Sequence, residues 1–219
     1  MLKDKKPLTA VAYEYVYTNI INGVYSVNDI VSEGSLIQQL GISKTPVREA
    51  LVALCTEGIL QSIPRMGYQV IQIMPDEACQ MYQARLLLES TLLEKTINII
   101  TENHIAQLEA YCEKAKKDYL IRNSAMECWE RNSGFHLLLA SFSGNQYLYR
   151  MLKQVFRDCA RAMTQYFLLK AQGKVDDEQN QYHERVIRAL REKDLACAQE
   201  LIKKDVYLSL DETMLKRAG

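Results

Sequence analysis

Proline is missing from the 144 residues that follow residue 75 of this 219-residue chain, and glycine is nearly so. All four prolines (Pro7, Pro46, Pro64, Pro75) and five of the nine glycines lie within residues 1–75; only Gly134, Gly144, Gly173 and Gly219 come later. Proline breaks helix interiors, so a long proline-free tract with helical periodicity predicts a bundle of long helices. Cysteine pairs are also missing: the six cysteines stand at least 16 residues apart, which excludes a Cys-x-x-Cys zinc or redox motif. Scattered thiols suit a reducing cytoplasm. Net charge is zero, with 27 basic and 27 acidic residues, and residues 1–75 alone balance at six against six. Any affinity for a polyanion must therefore come from where charges sit, not from their sum. No apolar run approaches the ~18 residues of a membrane span. The opening Lys3-Asp4-Lys5-Lys6-Pro7 lacks the apolar stretch of a signal peptide. The expectation is a soluble, cytoplasmic protein without a membrane partner.

What is present in the first third is a set of short elements separated by tight turns. Leu8, Val11, Ala12, Tyr15, Val16 and Ile20 recur at helical spacing, and Gly23 is placed to end that helix. A short second helix carries Leu36 and Leu40 and stops at Gly41. The third begins at Ser43-Lys44-Thr45-Pro46 and sets Val47, Leu51 and Leu54 on one face. Two short helices joined by a glycine-containing turn form a helix-turn-helix. Beyond Gly58, the runs 59–63 and 68–73 flank Pro64-Arg65-Met66-Gly67 and predict a β-hairpin. Domains are expected at 1–75 and 76–219, the second opening with Asp76 as helix N-cap.

The amino end of the third helix is suited to DNA. Unpaired N–H groups and the positive dipole end attract phosphate, and the Ser43 and Thr45 hydroxyls can bond its oxygens. Lys44 and Arg48 project together, and an arginine pairs bidentately with guanine in the major groove. Arg65 at the hairpin tip can reach a neighbouring backbone or the minor groove, and Gly67 allows close approach. Ordinary solvated charges around a small core would carry the same spacing. The stretch Gly41-Ile42-Ser43-Lys44-Thr45-Pro46-Val47-Arg48-Glu49-Ala50-Leu51, with Glu57-Gly58-Ile59-Leu60 and Pro64-Arg65-Met66-Gly67-Tyr68, resembles the GntR family of transcription regulators. That resemblance implies DNA contacts at Ser43, Lys44, Thr45, Arg48 and Gly67. Two departures bear on operator preference: Val27-Asn28 stands where the family often has Pro-Gly, and Gly34 stands where it often has a basic contact.

In residues 76–219 the informative feature is polar residues on apolar helix faces, since interiors seldom hold unpaired charge. Helices are expected to begin near Asp76, Glu102, Ser124, Gln146, Asp176 and Asp194. Arg85 shares a stripe with Met81, Leu88 and Leu92; Asn132 and His136 lie one turn apart beside Phe135 and Leu139. His183 aligns with Val186, Ile187 and Leu190, and Asp205 with Leu201 and Ile202. Bundles build ligand and metal sites from such facing side chains. Two imidazoles, a carboxylate and an amide could surround a divalent ion, with Arg85 clamping a carboxylate. A satisfied core network is the alternative.

This region resembles the FadR-type C-terminal ligand-binding domain, the FCD domain, of the largest GntR subfamily. The matching pieces are Tyr82-Gln83-Ala84-Arg85 with Leu88-Glu89, Asn132-Ser133-Gly134-Phe135-His136, Ser143-Gly144-Asn145, and His183 followed by Ile187, Asp194 and Ala198. Many members hold one metal through Asp, His, His and His and a small organic acid against it. Here those positions are Asn132, His136, His183 and Asp205, so two of four differ. The set left still supports Zn, Ni or Mn, and a metal-free pocket is the alternative.

The fold expected is mainly α: an N-terminal winged helix-turn-helix and a C-terminal all-α antiparallel helical bundle. The resemblance implies a homodimeric regulator, most often a repressor, that binds double-stranded operator DNA and senses a small carboxylate or sugar acid. Two competing readings are a metal-dependent enzyme with an accessory domain and an effector-independent DNA-binding dimer. The chain lacks the Glu-x-x-His and His-Glu-x-x-His motifs that the enzyme reading would favour.

Overall fold

The computed structural model describes residues 6–119, 125–167 and 178–208, and divides the chain into compact units Met1–Ile73 and Met74–Gly219. Among the described residues there are nine helices and one small sheet.

The first unit contains α1 (Leu8–Ile21), β1 (Ile30–Val31), α2 (Glu33–Leu40), α3 (Lys44–Thr56), β2 (Leu60–Ile63) and β3 (Gly67–Val70). Its core is built from Ala12, Val16 and Ile20 of α1, Leu36 of α2, and Val47, Ala50, Leu51 and Leu54 of α3. Leu8 and Val11, which share the apolar spacing of α1, stand at its exposed end. Gly41 ends α2 at φ +64°, a left-handed conformation that glycine adopts without steric cost, and its N–H donates to the Ile37 carbonyl. Ile42 is buried and fills the turn between α2 and α3. The hairpin β2–β3 gains an additional edge strand: β1 pairs antiparallel with β3, giving the order β1-β3-β2, with Val31 opposite Tyr68 and Ile63 opposite Gly67. A two-residue strand has no periodicity to detect; pairing with β3 creates it.

The second unit consists of α4 (Pro75–Ile99), α5 (Glu102–Tyr119), α6 (Ala125–Ser141), α7 (Gln146–Phe167), α8 (Glu178–Arg191) and α9 (Leu195–Leu208). Helix α4 packs against α6, α7 and α9, and α8 packs against α9 and α5. Asp76 is not the N-cap of α4. Met74 holds that position without a side-chain cap bond, and Pro75 takes the first helical turn, where its missing N–H costs nothing. The expected start near Asp176 falls outside the described residues. Helices α5 and α6 approach closely at Gly134, where an added Cβ would stand 2.0 Å from the Tyr111 hydroxyl. That hydroxyl donates to the Arg131 carbonyl at 3.0 Å. At the other end of α4, Lys193 donates from Nζ to the carbonyls of Ile97 and Ile100, at 2.7 and 3.4 Å. A cation there complements the negative end of the helix dipole.

Candidate functional site

Two groups of residues stand out, one in each unit. In the first, Ser43 caps α3 with extended backbone, and its hydroxyl makes no cap bond, leaving it available to an outside acceptor. Ser43, Lys44, Thr45 and Arg48 are all exposed, while Val47, Ala50, Leu51 and Leu54 on the opposite side are fully buried. The amphipathic spacing of α3 therefore turns one face inward and presents its amino end to solvent.

Arg48 is steered from α2. Its Nε lies 3.8 Å from a Glu33 oxygen that also accepts a bond from the Tyr68 hydroxyl at 3.1 Å. The Arg48 side chain is 65% exposed, so this pairing is weak and yields readily to a phosphate or a base. Nearby acidic groups are engaged elsewhere: Glu49 accepts from Thr9 and Glu57 from Tyr13. Gly67 has a structural duty at the base of the wing. Its φ is +132°, and an added Cβ would stand 2.7 Å from the Val31 carbonyl oxygen.

In the second unit, Arg85 and Glu89 from α4, Asn132 and His136 from α6, His183 from α8 and Asp205 from α9 converge in the interior, and all are buried. Helical spacing explains the pairs: residues four apart share a face, as Arg85 with Glu89 and Asn132 with His136 do. Arg85 Nε donates to Glu89 Oε1 at 2.6 Å, and the other Glu89 oxygen faces His136 Nδ1. His136 Nε2 faces Asp205. The guanidinium lies over the Phe156 ring at 4.4 Å and near Trp129 at 5.4 Å. Its Nη1 is buried without a hydrogen-bond partner among the described residues, and its Nη2 reaches the Asn132 carbonyl oxygen at 3.5 Å. His183 stacks on Phe135 at 3.9 Å.

Burial opposes charge on these groups, yet their mutual attraction prevails at most of them. Arg85 and His136 are held more strongly protonated than usual, against burial, by the Glu89 carboxylate in both cases and by Asp205. Glu89 and Asp205 are held below the usual carboxylate range, again against burial, by His136 in both, with Arg85 assisting at Glu89 and His183 at Asp205. His183 goes the other way. Burial lowers its pKa, and Asp205 only partly offsets that.

His136, His183 and Asp205 each offer one ligand atom, and these atoms lie within 4.8 Å of one another. Two imidazoles and a carboxylate fit a divalent ion and leave positions open. The Glu89 contact to His136 Nδ1 matches the carboxylate support common behind ligating histidines. Asn132 faces the same centre through its amide nitrogen, 3.2 Å from each Asp205 oxygen and 3.3 Å from His183 Nε2. In this arrangement the amide nitrogen donates to the Asp205 carboxylate.

Sequence reasoning places Arg85, Asn132, His136, His183 and Asp205 on inward faces, and the structure brings them together. It did not single out Glu89 as a site residue. The available signal was its i, i+4 spacing from Arg85 on a stripe that is otherwise apolar.

Residues 8–70 match the model of the bacterial regulatory proteins of the gntR family, and residues 80–206 match the FCD domain. The chain belongs to the GntR family of regulators with an FCD domain. Among relatives, this GntR regulator is 27% identical over 192 residues to the gluconate operon transcriptional repressor of Bacillus subtilis, covering 85% of this chain and 76% of that one. It is 28% identical to the regulator YdhC of the same species over 65% of this chain, a stretch that spans 64% of the relative's length. The transcriptional repressor GlaR of Escherichia coli is 23% identical, with 94% and 96% of the two chains covered. Of solved structures, E. coli McbR/YncC superposes with a TM-score of 0.77 at 19% identity, over 98% of this chain and all of the other, which shows a shared fold. The GntR chain is thus a transcription regulator with a winged helix-turn-helix and a helical effector-binding domain. No helix among its described residues is long and apolar enough to cross a membrane.

Proposed function

We propose that this regulator is a homodimeric repressor whose unit at residues 1–75 binds double-stranded operator DNA and whose remainder dimerises and senses a small acid. Ser43, Lys44 and Thr45 meet phosphates at the amino end of α3, Arg48 reads a base edge, and Arg65 and Gly67 bring the wing to the duplex. The observation that carries this reading is the division of α3 into a fully buried apolar face and an exposed amino end bearing Lys44 and Arg48. Two such units related by a twofold axis suit a near-palindromic operator with half-sites about one helical turn apart.

The acid is a small carboxylate or sugar acid, and its anchor is Arg85, whose buried Nη1 has a hydrogen to donate and no acceptor among the described residues. One relative's association with a gluconate operon agrees with that class. His136, His183 and Asp205 would hold a divalent ion such as Zn, Ni or Mn, one per subunit, with Asn132 alongside. When bound, the ion supplies positive charge opposite the acid. Arg85 orients the carboxylate, Phe156 and Trp129 keep water from the guanidinium, and Glu89 fixes both Arg85 and His136. A ligand that favours one arrangement of the dimer shifts DNA affinity by its differential binding to the two.

Fluorescence anisotropy of a labelled duplex, selected by the full-length protein, tests the DNA interface. Arg48→Ala is expected to weaken binding by roughly 1–3 kcal/mol and relax base preference. Unchanged affinity at fixed salt would remove Arg48 from the interface. Release of the duplex by members of an organic-acid panel, lost in Arg85→Met, tests the sensor; a panel without effect on either protein refutes it.

A further inference from the structure

We propose that Glu33 is a specificity-determining residue: pinned by Tyr68, its carboxylate makes Arg48 a poorer partner for phosphate than for a base edge. The proposal rests on the operator-binding reading above. Glu33 opens α2, directly after β1 and Ser32. One of its oxygens accepts the Tyr68 hydroxyl at 3.1 Å and stands 3.8 Å from Arg48 Nε. Three elements thus meet at a single atom: the start of α2, strand β3 of the wing, and α3.

Helix formation alone does not demand this arrangement. A carboxylate in the first turn suits the helix dipole with its side chain in open solvent. Here that side chain is only 26% exposed and turns toward β3 and α3. Tyr68 is buried opposite Val31 of β1, so the phenol holds the carboxylate from a fixed base. Burial first, then Glu33, raises the pKa of the Tyr68 hydroxyl, which keeps its proton to donate. The next residue is Gly34, which brings no cation, and Arg48 is the one ion-pair partner of Glu33 among the described residues.

The contact is made by Nε, and the two Nη atoms of Arg48 make no hydrogen bond among the described residues. The fork that reads guanine O6 and N7 therefore stays open while the stem is held. The pair is weak enough to open for either partner, and the difference lies in what arrives. A phosphate brings a full negative charge toward Glu33 and competes with it for the same cation. A base edge is neutral, offers two acceptors to the fork, and leaves Arg48 between the carboxylate and the DNA. Like charge disfavours the first contact and has little hold on the second. Glu33 therefore widens the gap between non-specific and specific binding.

The test measures binding of the full-length chain to two duplexes across a range of salt: one selected from a random-sequence library, and a shuffled duplex of the same length. Wild type, Glu33→Gln, Arg48→Ala and the double variant are compared. Glutamine keeps the length of the side chain and an oxygen for Tyr68, but not the charge. Glu33→Gln is expected to bind the shuffled duplex about two- to fivefold more tightly and the selected duplex with little change. On the shuffled duplex its log affinity should fall more steeply with log salt, by about 0.9, the slope of one added phosphate contact. In the Arg48→Ala background the same substitution should leave that slope unchanged, because the cation it frees is gone. A selected-to-shuffled ratio that Glu33→Gln does not alter overturns the proposal. So does an equal effect in both backgrounds, which would make Glu33 a general surface charge. If Arg48→Ala loses the selected sequence while Glu33→Gln changes nothing, operator binding through α3 stands and the role of Glu33 falls. If wild type selects no sequence, both fall.

Discussion

Glu89 and Arg85 form a buried ion pair one helical turn apart on α4, with the Arg85 Nε 2.6 Å from the Glu89 carboxylate. Neither can lose its partner cheaply. Glu89→Leu strands the guanidinium in an apolar surround, at an expected cost of about 3–5 kcal/mol. Arg85→Met combined with Glu89→Leu removes both charges and should cost much less than Glu89→Leu alone. Urea unfolding of the three proteins measures this; equal losses in single and double variants would refute the pairing.

Metal uptake separates the two forms of the sensor pocket. Metal-stripped protein titrated with zinc should take up about one equivalent per chain if His136, His183 and Asp205 act as ligands. His136→Ala or His183→Ala should lower the affinity by more than about 100-fold, beyond what loss of a supporting residue does. A wild-type chain that binds neither zinc, nickel nor manganese leaves the pocket as a metal-free acid site.

Gly67→Ala should damage the wing from within. The methyl group would meet the Val31 carbonyl at 2.7 Å on a backbone at φ +132°, so β1 and β3 must separate. A loss of roughly 1–3 kcal/mol is expected, as for other overpacked sites. Hydrogen exchange at Val31 and Tyr68 should quicken, and DNA affinity should fall with it. Unchanged exchange with weakened DNA binding would instead make Gly67 a direct contact alone.

The interior histidines set the pH profile of the second unit. His183 has a folded pKa depressed below its ordinary 6.5, so its contribution is present above that value and is lost as pH falls. His136 is raised above 6.5, so its contribution is present below that value and fades as pH rises through the folded pKa. Glu89 and Asp205, both depressed, add a further loss on the acid side once pH drops through the usual carboxylate range. Stability should therefore peak near neutrality. Denaturant melts across pH, followed by Trp129 fluorescence, check this; a profile that climbs steadily toward acid would contradict it.

The sequence makes legible what depends on local spacing. The apolar stripes of α3, α6 and α8 were periodic enough to mark their inward faces, and Asn132, His136 and His183 are conspicuous on them because charge and amide groups seldom lie there. Relations made by tertiary contact were less visible. Strand β1 exists only because β3 lies beside it. Glu89 looks like one half of a routine i, i+4 pair until α6 places His136 against its second oxygen. The Asp76 cap fails for a local reason, since Pro75 can begin the helix itself. Gly67 shows a limit of another sort: its proposed DNA contact follows from its place in the hairpin, whereas its packing against Val31 needs the third strand.

Lys193 gives α4 unequal ends. Its ammonium pins the carbonyls of Ile97 and Ile100, while the opposite terminus, Pro75, is joined through a single residue to Ile73 of the first unit. The two ends of α4 are thus secured differently, one by a side chain from the loop before α9 and the other by the chain alone.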